Sequence, residues 1–325
     1  MKNYKSYFIA AGMLTCIFML ASGCTEQSPQ TVKLALKLTN GLSETYRLQT
    51  VYQKQGSIEG TVPENLNFQG GRTTDKIEMV FDQLIQSVDE AGNATEKITI
   101  KELKYFAEVR NKTALDFDSL KDKNPNNALF ALIGQSYTLE ITPSGKISKI
   151  IDVNDALAAI KDIPSNFEAA KNLLSDIAIK RRHSIPLPDS NDNELGKGGS
   201  WSNIKEFNFG EMGYRTFERK YTLKKIEKAD GSVNAIIDMS AIPSVERAKE
   251  SYQERGTLPV SPMTDISYTY TGQMNFDVTN GTLIKYHENL QNRWLIAPPN
   301  QNESKPPTAL NMIAIQSYDI EKINW

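Results

Sequence analysis

The stretch Ile266-Ser267-Tyr268-Thr269-Tyr270-Thr271-Gly272-Gln273-Met274-Asn275-Phe276-Asp277-Val278 decides the fold. Ile266, Tyr268, Tyr270, Met274, Phe276 and Val278 alternate with Ser, Thr, Gln, Asn and Asp, and strict period two marks a strand with one buried and one wetted face. Asn280-Gly281 follows, a hairpin turn that needs positive φ at both central positions, and Leu283-Ile284-Lys285-Tyr286 resumes the strand. Asp230-Gly231 makes the same kind of junction between Tyr221-Thr222-Leu223 and Ala235-Ile236-Ile237, and Gly92 and Gly145 mark two more. Successive hairpins build meanders. The fold class is therefore α+β: a mainly antiparallel, curved, half-barrel-like sheet with a central helical insert.

The turns are spaced alike, with 53 residues from Gly92 to Gly145 and 50 from Gly231 to Gly281. Val88-Asp89-Glu90-Ala91-Gly92 resembles Ile226-Glu227-Lys228-Ala229-Asp230, and Glu140 to Ile147 resembles Asp277 to Leu283. This fits two pseudo-repeats, with extra material from Lys33 to Thr74 in the first, and it fits equally well hairpins of similar size recurring in one sheet. The expected division is a signal at 1–23, Cys24 with a tether over 24–30, and a single body at 31–325. Its approximate halves are 31–153 and 201–325, with the insert and a loop over 154–200.

In the insert, Leu157, Ile160 and Ile163 fall at helical spacing, and Ser165 and Glu168 form a capping-box pattern for a second helix running to about Arg182. Phe167, Ala170, Leu174 and Ile177 give that helix its apolar stripe. Lys180-Arg181-Arg182-His183 closes it with positive charge where the last carbonyls favour it. The cluster reads as a solvated cationic helix end or, in a functional reading, as a phospholipid or phosphate contact. Ser184 to Ser200 reads as an exposed loop, and a third helix is expected from Val245 to Glu254.

Composition narrows the function. The formal charge is −2, with 37 basic and 39 acidic residues interspersed, so no basic footprint suggests nucleic acid as a partner. His183 and His287 are the only histidines and lie far apart, which leaves no metal-spaced pair and no support for a Ser-His-Asp triad. Gly196-Lys197-Gly198-Gly199-Ser200 lacks the upstream glycine and the strand-to-helix setting of a phosphate loop. Asp116 and Asp118, or Asp189 and Asp192, sit in polar surroundings and lack the glycine and terminal Glu of a calcium loop. No catalytic residue, metal or cofactor is expected, and the chain reads as non-enzymatic.

What remains is the apolar sheet face. Met79, Phe81, Tyr137, Leu139, Tyr268, Tyr270, Met274 and Phe276 either line a pocket for an apolar ligand or fill a core, and residue types alone do not separate the two.

The N-terminus adds an address. Lys2 and Lys5 precede an apolar run from Tyr7 to Ala21 and then Ser22-Gly23-Cys24, which resembles the signal of bacterial lipoproteins. That resemblance implies lipid modification of the Cys24 sulfur, cleavage before Cys24, and a lipid anchor in the cell envelope, on the outer membrane or another extracytoplasmic face. Cys16 would leave with the signal, so the mature chain would hold no disulfide and no free thiol. Thr25-Glu26-Gln27-Ser28-Pro29-Gln30 would then be a tether of roughly 20–25 Å at full extension.

Leu36, Leu38, Gly41 and Tyr46, then Gly145-Lys146-Ile147, Pro186-Leu187-Pro188 before Gly199-Ser200-Trp201, and Phe276-Asp277 with Gly281 and Leu283 together resemble a family of uncharacterised bacterial lipoproteins. The sheet-and-helix plan is more loosely similar to the half-barrels of periplasmic lipoprotein carriers. The resemblance bears on architecture, and the leading reading, from the apolar sheet face, is a non-enzymatic lipoprotein binding an apolar or envelope-derived ligand. Recruitment of an envelope protein through a strand edge and hydrolysis of an envelope polymer are the second and third readings.

Overall fold

The computed structural model describes residues 29–59, 70–189, 194–209, 213–229, 231–245, 264–296 and 309–325. Cys24, the signal and most of the tether lie outside the described residues, as does the expected third helix beyond Val245. In chain order the strands are β1 (Thr31–Val32), β2 (Ser43–Glu59), β3 (Gly71–Val88), β4 (Ala94–Val109), β5 (Lys112–Asp118), β6 (Ser136–Ile141) and β7 (Ile147–Asp152), then β8 (Leu195–Gly196), β9 (Ser200–Asn208), β10 (Tyr214–Ala229), β11 (Ser232–Pro243), β12 (Thr264–Asp277), β13 (Thr282–Ile296) and β14 (Ala309–Ile323). The helices are α1 (Ala128–Ala131), α2 (Asn154–Ile160), α3 (Phe167–Leu173) and α4 (Asp176–His183).

Eleven strands follow one another across a single sheet in the order β7-β6-β4-β3-β2-β14-β13-β12-β11-β10-β9, with β5 added to β4 and every pairing antiparallel. Each half of the chain is a meander, and the two meet where β2 pairs with β14, from Thr45 opposite Ile323 to Glu59 opposite Ala309. Much of the extra material between Lys33 and Thr74 is thus the strand that joins the halves. β1 and β8 make a separate two-stranded ribbon.

The four expected turns all close hairpins, β3–β4, β6–β7, β10–β11 and β12–β13. At the last, the two-residue turn expected of Asn280-Gly281 is replaced by a four-residue loop between the paired Asp277 and Thr282, with positive φ only at Gly281. Asp277 explains the wider loop, because its carboxylate accepts from the Asn280 N–H at 3.0 Å and from the Asn280 amide at 2.6 Å. The sheet also carries bulges. An extra residue on β13 beside Asn275 and Phe276 lets Leu283 and Tyr286 both face the core although they are three apart.

The helical insert departs from expectation in physical detail. No capping box forms: Asn166 takes the cap position with φ of 57° and makes no cap bond, while the Ser165 carbonyl accepts from Ala128 N–H at 2.9 Å. The expected long helix breaks at Leu174-Ser175, because Ser175 caps a new one by accepting from Ala178 N–H. Re-phasing at that break buries Leu173 and Ile179 and leaves Ile177 exposed. The Lys180–His183 cluster is a solvated helix end only in part, since Arg181 is exposed and Lys180 half-buried while Arg182 and His183 are buried. Nor is the following loop simply exposed. Leu187 is buried, and Gly145, with φ of 78°, lets the Ile185 N–H donate to its carbonyl at 2.8 Å; a Cβ there would sit 2.5 Å from Ile185 O.

Candidate functional site

Helix α4 is pinned to the first half of the sheet by its last turn. Arg182 donates to the carbonyls of Leu173 and Ala178 and points a third N–H at Met79 Sδ, 3.5 Å away. The His183 Nε2 and the Tyr137 hydroxyl are 2.6 Å apart, and the Phe81 ring meets the imidazole edge-on at a 4.9 Å centroid distance. Burial and the Arg182 charge push the His183 pKa well down, so this imidazole is neutral. From β14, the Tyr318 hydroxyl donates to the Arg182 carbonyl at 2.7 Å.

The second half is curled, and one ion pair proves it. Lys205 on β9 contacts Glu288 on β13, although three strands separate them and a flat sheet would hold them roughly 19 Å apart. Phe207 on β9 likewise reaches Tyr270 on β12 with a ring distance of 5.4 Å. The sheet has folded β9 back across its own concave face.

At the centre of that curl Glu288 is 4% exposed and fully engaged. Its carboxylate accepts from Lys205, from Arg219 at 2.8 Å, from the Tyr270 hydroxyl at 2.8 Å and from the Tyr286 hydroxyl at 2.7 Å. Burial opposes its ionisation, but the Lys205 and Arg219 charges with these hydrogen bonds prevail and hold it well below the usual carboxylate range. Burial pulls Lys205 down to about 8; Glu288 opposes that shift, while Arg219 and Arg181 reinforce it. Arg219 also donates to Asn203 at 2.8 Å, and Tyr286 shares a 3.1 Å contact with the Tyr221 hydroxyl.

Two cavities, of about 480 and 560 Å³, flank α4 at this cluster. The first runs over Leu173, Ala178, Ile77, Phe207 and Tyr270, and the second over Ile185, Leu187, Trp201 and Ile204. Arg181, Lys205, Glu206, Glu288 and Tyr318 border both. Trp201 is fixed in the second by stacking on Tyr221 at 5.2 Å and by donating to the Pro186 carbonyl at 3.0 Å. Arg181 differs from its neighbours: it makes no hydrogen bond or ion pair among the described residues, although it feels the Glu288 charge. The arrangement offers an apolar patch in each cavity, with two cations and two carboxylates at the junction.

Of the eight residues on the expected apolar face, Met79, Phe81, Tyr137, Leu139, Tyr270, Met274 and Phe276 are buried and belong to one core. Tyr268 stands 39% exposed beside Phe217. Of these eight, Tyr270 alone borders either of the two cavities; α4 itself covers Met79, Phe81 and Tyr137. Lys205, Arg219 and Glu288 were not read from the sequence. The signal was there in β13, where Tyr286, Glu288, Leu290, Asn292 and Trp294 alternate with polar residues, so that period two places Glu288 on the inner face. His287 faces the other way, with its Nδ1 2.5 Å from Asp319. Asp189 pairs with Lys146 at 2.7 Å, and no group of three metal-ligating side chains occurs among the described residues.

The geometry can be set beside known proteins. A family model described as "Family of unknown function (DUF6263)" matches residues 91–283, from the β3–β4 turn to the start of β13. The chain belongs to this family. The matched DUF6263 segment holds α4, both Arg181 and Arg219, and Lys205, and it ends five residues before Glu288. No curated protein matches the chain. Among solved structures, a chain described as "Lipid-protein interactions in lipovitellin" is similar with 11% identity and a TM-score of 0.41, over 89% of this chain and 26% of that one. This chain therefore spans about a quarter of that protein's length. Among the described residues no helix is long and apolar enough to cross a membrane.

Proposed function

We propose that this chain is a lipid-anchored envelope lipoprotein that binds an apolar or envelope-derived ligand and performs no chemistry on it. The observation that carries the reading is the pair of cavities beside α4, of a size that suits small ligands, each lined by an aromatic and aliphatic patch among charged and polar side chains. The anchor rests on Cys24 and the signal-like run before it. Glu288 supports the binding role, because a carboxylate locked to two cations and two hydroxyls is a fixed anion, not a proton donor poised for acid catalysis.

Native mass spectrometry of the full chain, extracted from its own membranes in mild detergent, tests the ligand. The expected result is a retained small molecule in one-to-one ratio; protein that emerges empty would sink the reading. For the anchor, Cys24→Ser should abolish metabolic labelling with palmitate and release the chain from membranes.

A further inference from the structure

The two cavities share Arg181 and Lys205 with Glu206 and Glu288 at their junction, and of these four Arg181 alone has no bonding partner among the described residues. Arg181, Lys205 and Arg219 converge on the single carboxylate of Glu288, and only Lys205 and Arg219 bond to it. The other carboxylates in the linings do not bond Arg181: Asp75 accepts from the Tyr105 hydroxyl at 3.5 Å, Asp189 is paired with Lys146, Glu206 accepts from the Thr216 hydroxyl at 3.5 Å, and Glu218 borders the second cavity from β10. Arg181 is left as a guanidinium that borders both cavities with no bond to any described residue. A planar fork of N–H donors beside an apolar hollow suits a planar or tetrahedral oxyanion better than it suits a neutral group. The walls beside it are Leu173, Ile77 and Phe207 on one side and Ile185, Leu187 and Trp201 on the other.

We infer that the ligand is an anionic amphiphile, a single acyl chain ending in a carboxylate or a phosphate ester, whose head group seats on Arg181 at the junction of the cavities while its chain lies along the apolar wall. The inference rests on the ligand-binding reading above and deepens it. Arg219 and Glu288 do not meet the head group directly; they fix Lys205 beside it. Burial is the main cause of the depressed Lys205 pKa, with Arg219 and Arg181 adding to it, and an anion seated beside them would offset the charge of those two arginines.

Isothermal titration calorimetry of the full chain, delipidated and held in amphipol, separates the terms. Decanoate and decyl phosphate are expected to bind at least about tenfold more tightly than decanol, and acetate and inorganic phosphate to give no measurable binding. Arg181→Gln should weaken decanoate and decyl phosphate about tenfold, to the level of decanol, while decanol binding stays within about twofold. Tighter decanoate points to a fatty acid as the source, and tighter decyl phosphate to a phospholipid head group. Equal binding of decanol and decanoate, or acid binding unchanged in Arg181→Gln, overturns this inference and leaves apolar ligand binding standing. Chainless anions that bind as well as the amphiphiles would also overturn it. If none of the chain compounds binds, both the inference and the ligand-binding reading fall.

Discussion

Glu96 on β4 and Glu288 on β13 are the two most deeply buried carboxyls among the described residues, at 1% and 4% exposure, and they are in opposite states. Glu96 lies in the dry first half. Burial and the Glu44 charge push it up to about 8 against a hydrogen bond from Gln83, and its Oε1 has no partner. Glu288 lies in the curled second half, where Lys205 and Arg219 keep it ionised. The difference teaches how two meanders of one sheet can serve different ends. The first half receives α4 on Met79, Phe81 and Tyr137 and closes there as an ordinary core; the second folds β9 over a charged interior, and the first cavity opens between that interior and Val51, Tyr52, Asp75 and Ile77 of the first half.

The contrast can be broken most severely at Glu288. Glu288→Ala should cost about 3–5 kcal/mol in urea unfolding, because Lys205 and Arg219 would stay buried without their anion. In the first half, Phe81→Ala should cost about 3 kcal/mol through the lost aromatic volume against Tyr46 and His183. Its folded protein should still bind ligand, since Phe81 borders neither cavity. Loss of binding by folded Phe81→Ala would show that the two halves are not separate in function.

The pH dependence distinguishes the two glutamates by sign. Between about pH 4.5 and 8 the folded chain keeps the Glu96 proton that the unfolded chain has released, so this group makes stability fall as pH rises, by about 1.4 kcal/mol per pH unit at most. Glu96→Gln should remove that slope. Glu288 acts the other way and lower down: its contribution is complete above the unfolded value near 4.5 and is lost as pH falls below it. Denaturation midpoints measured from pH 3 to 8 in wild type, Glu96→Gln and Glu288→Gln check both signs. Arg181→Gln should have the least effect on stability, within about 0.5 kcal/mol, because the side chain bonds to no described residue.

Much of the sheet was legible because period two and turn glycines act locally. β12 and the four hairpins follow from a dozen neighbouring residues each. β14 did not declare itself, because Met312, Ile313, Ala314 and Ile315 are apolar on both faces and hide the alternation. Its pairing with β2 joins residues 250 to 278 positions apart, and no local pattern encodes such a register. The break between α3 and α4 was visible only as a serine with cap chemistry in the middle of a helical stripe. The site was the least legible part. Lys205 and Arg219 read as ordinary strand charges until curling brings β9 and β10 over β13. Arg181 lay in a basic cluster whose neighbours, Arg182 and His183, turned inward as structural props.

The central claim is that the hollow beside α4 is a binding site and not a packing defect. Ala178 borders the first cavity from α4, so Ala178→Phe should fill it with little change to the sheet. The direct measurement is the lipid extract and native mass of full-chain wild type and Ala178→Phe purified side by side from the native membranes. The account predicts one small molecule bound to wild type and at least about tenfold less on folded Ala178→Phe. Equal ligand on both proteins, or none on either, would contradict it.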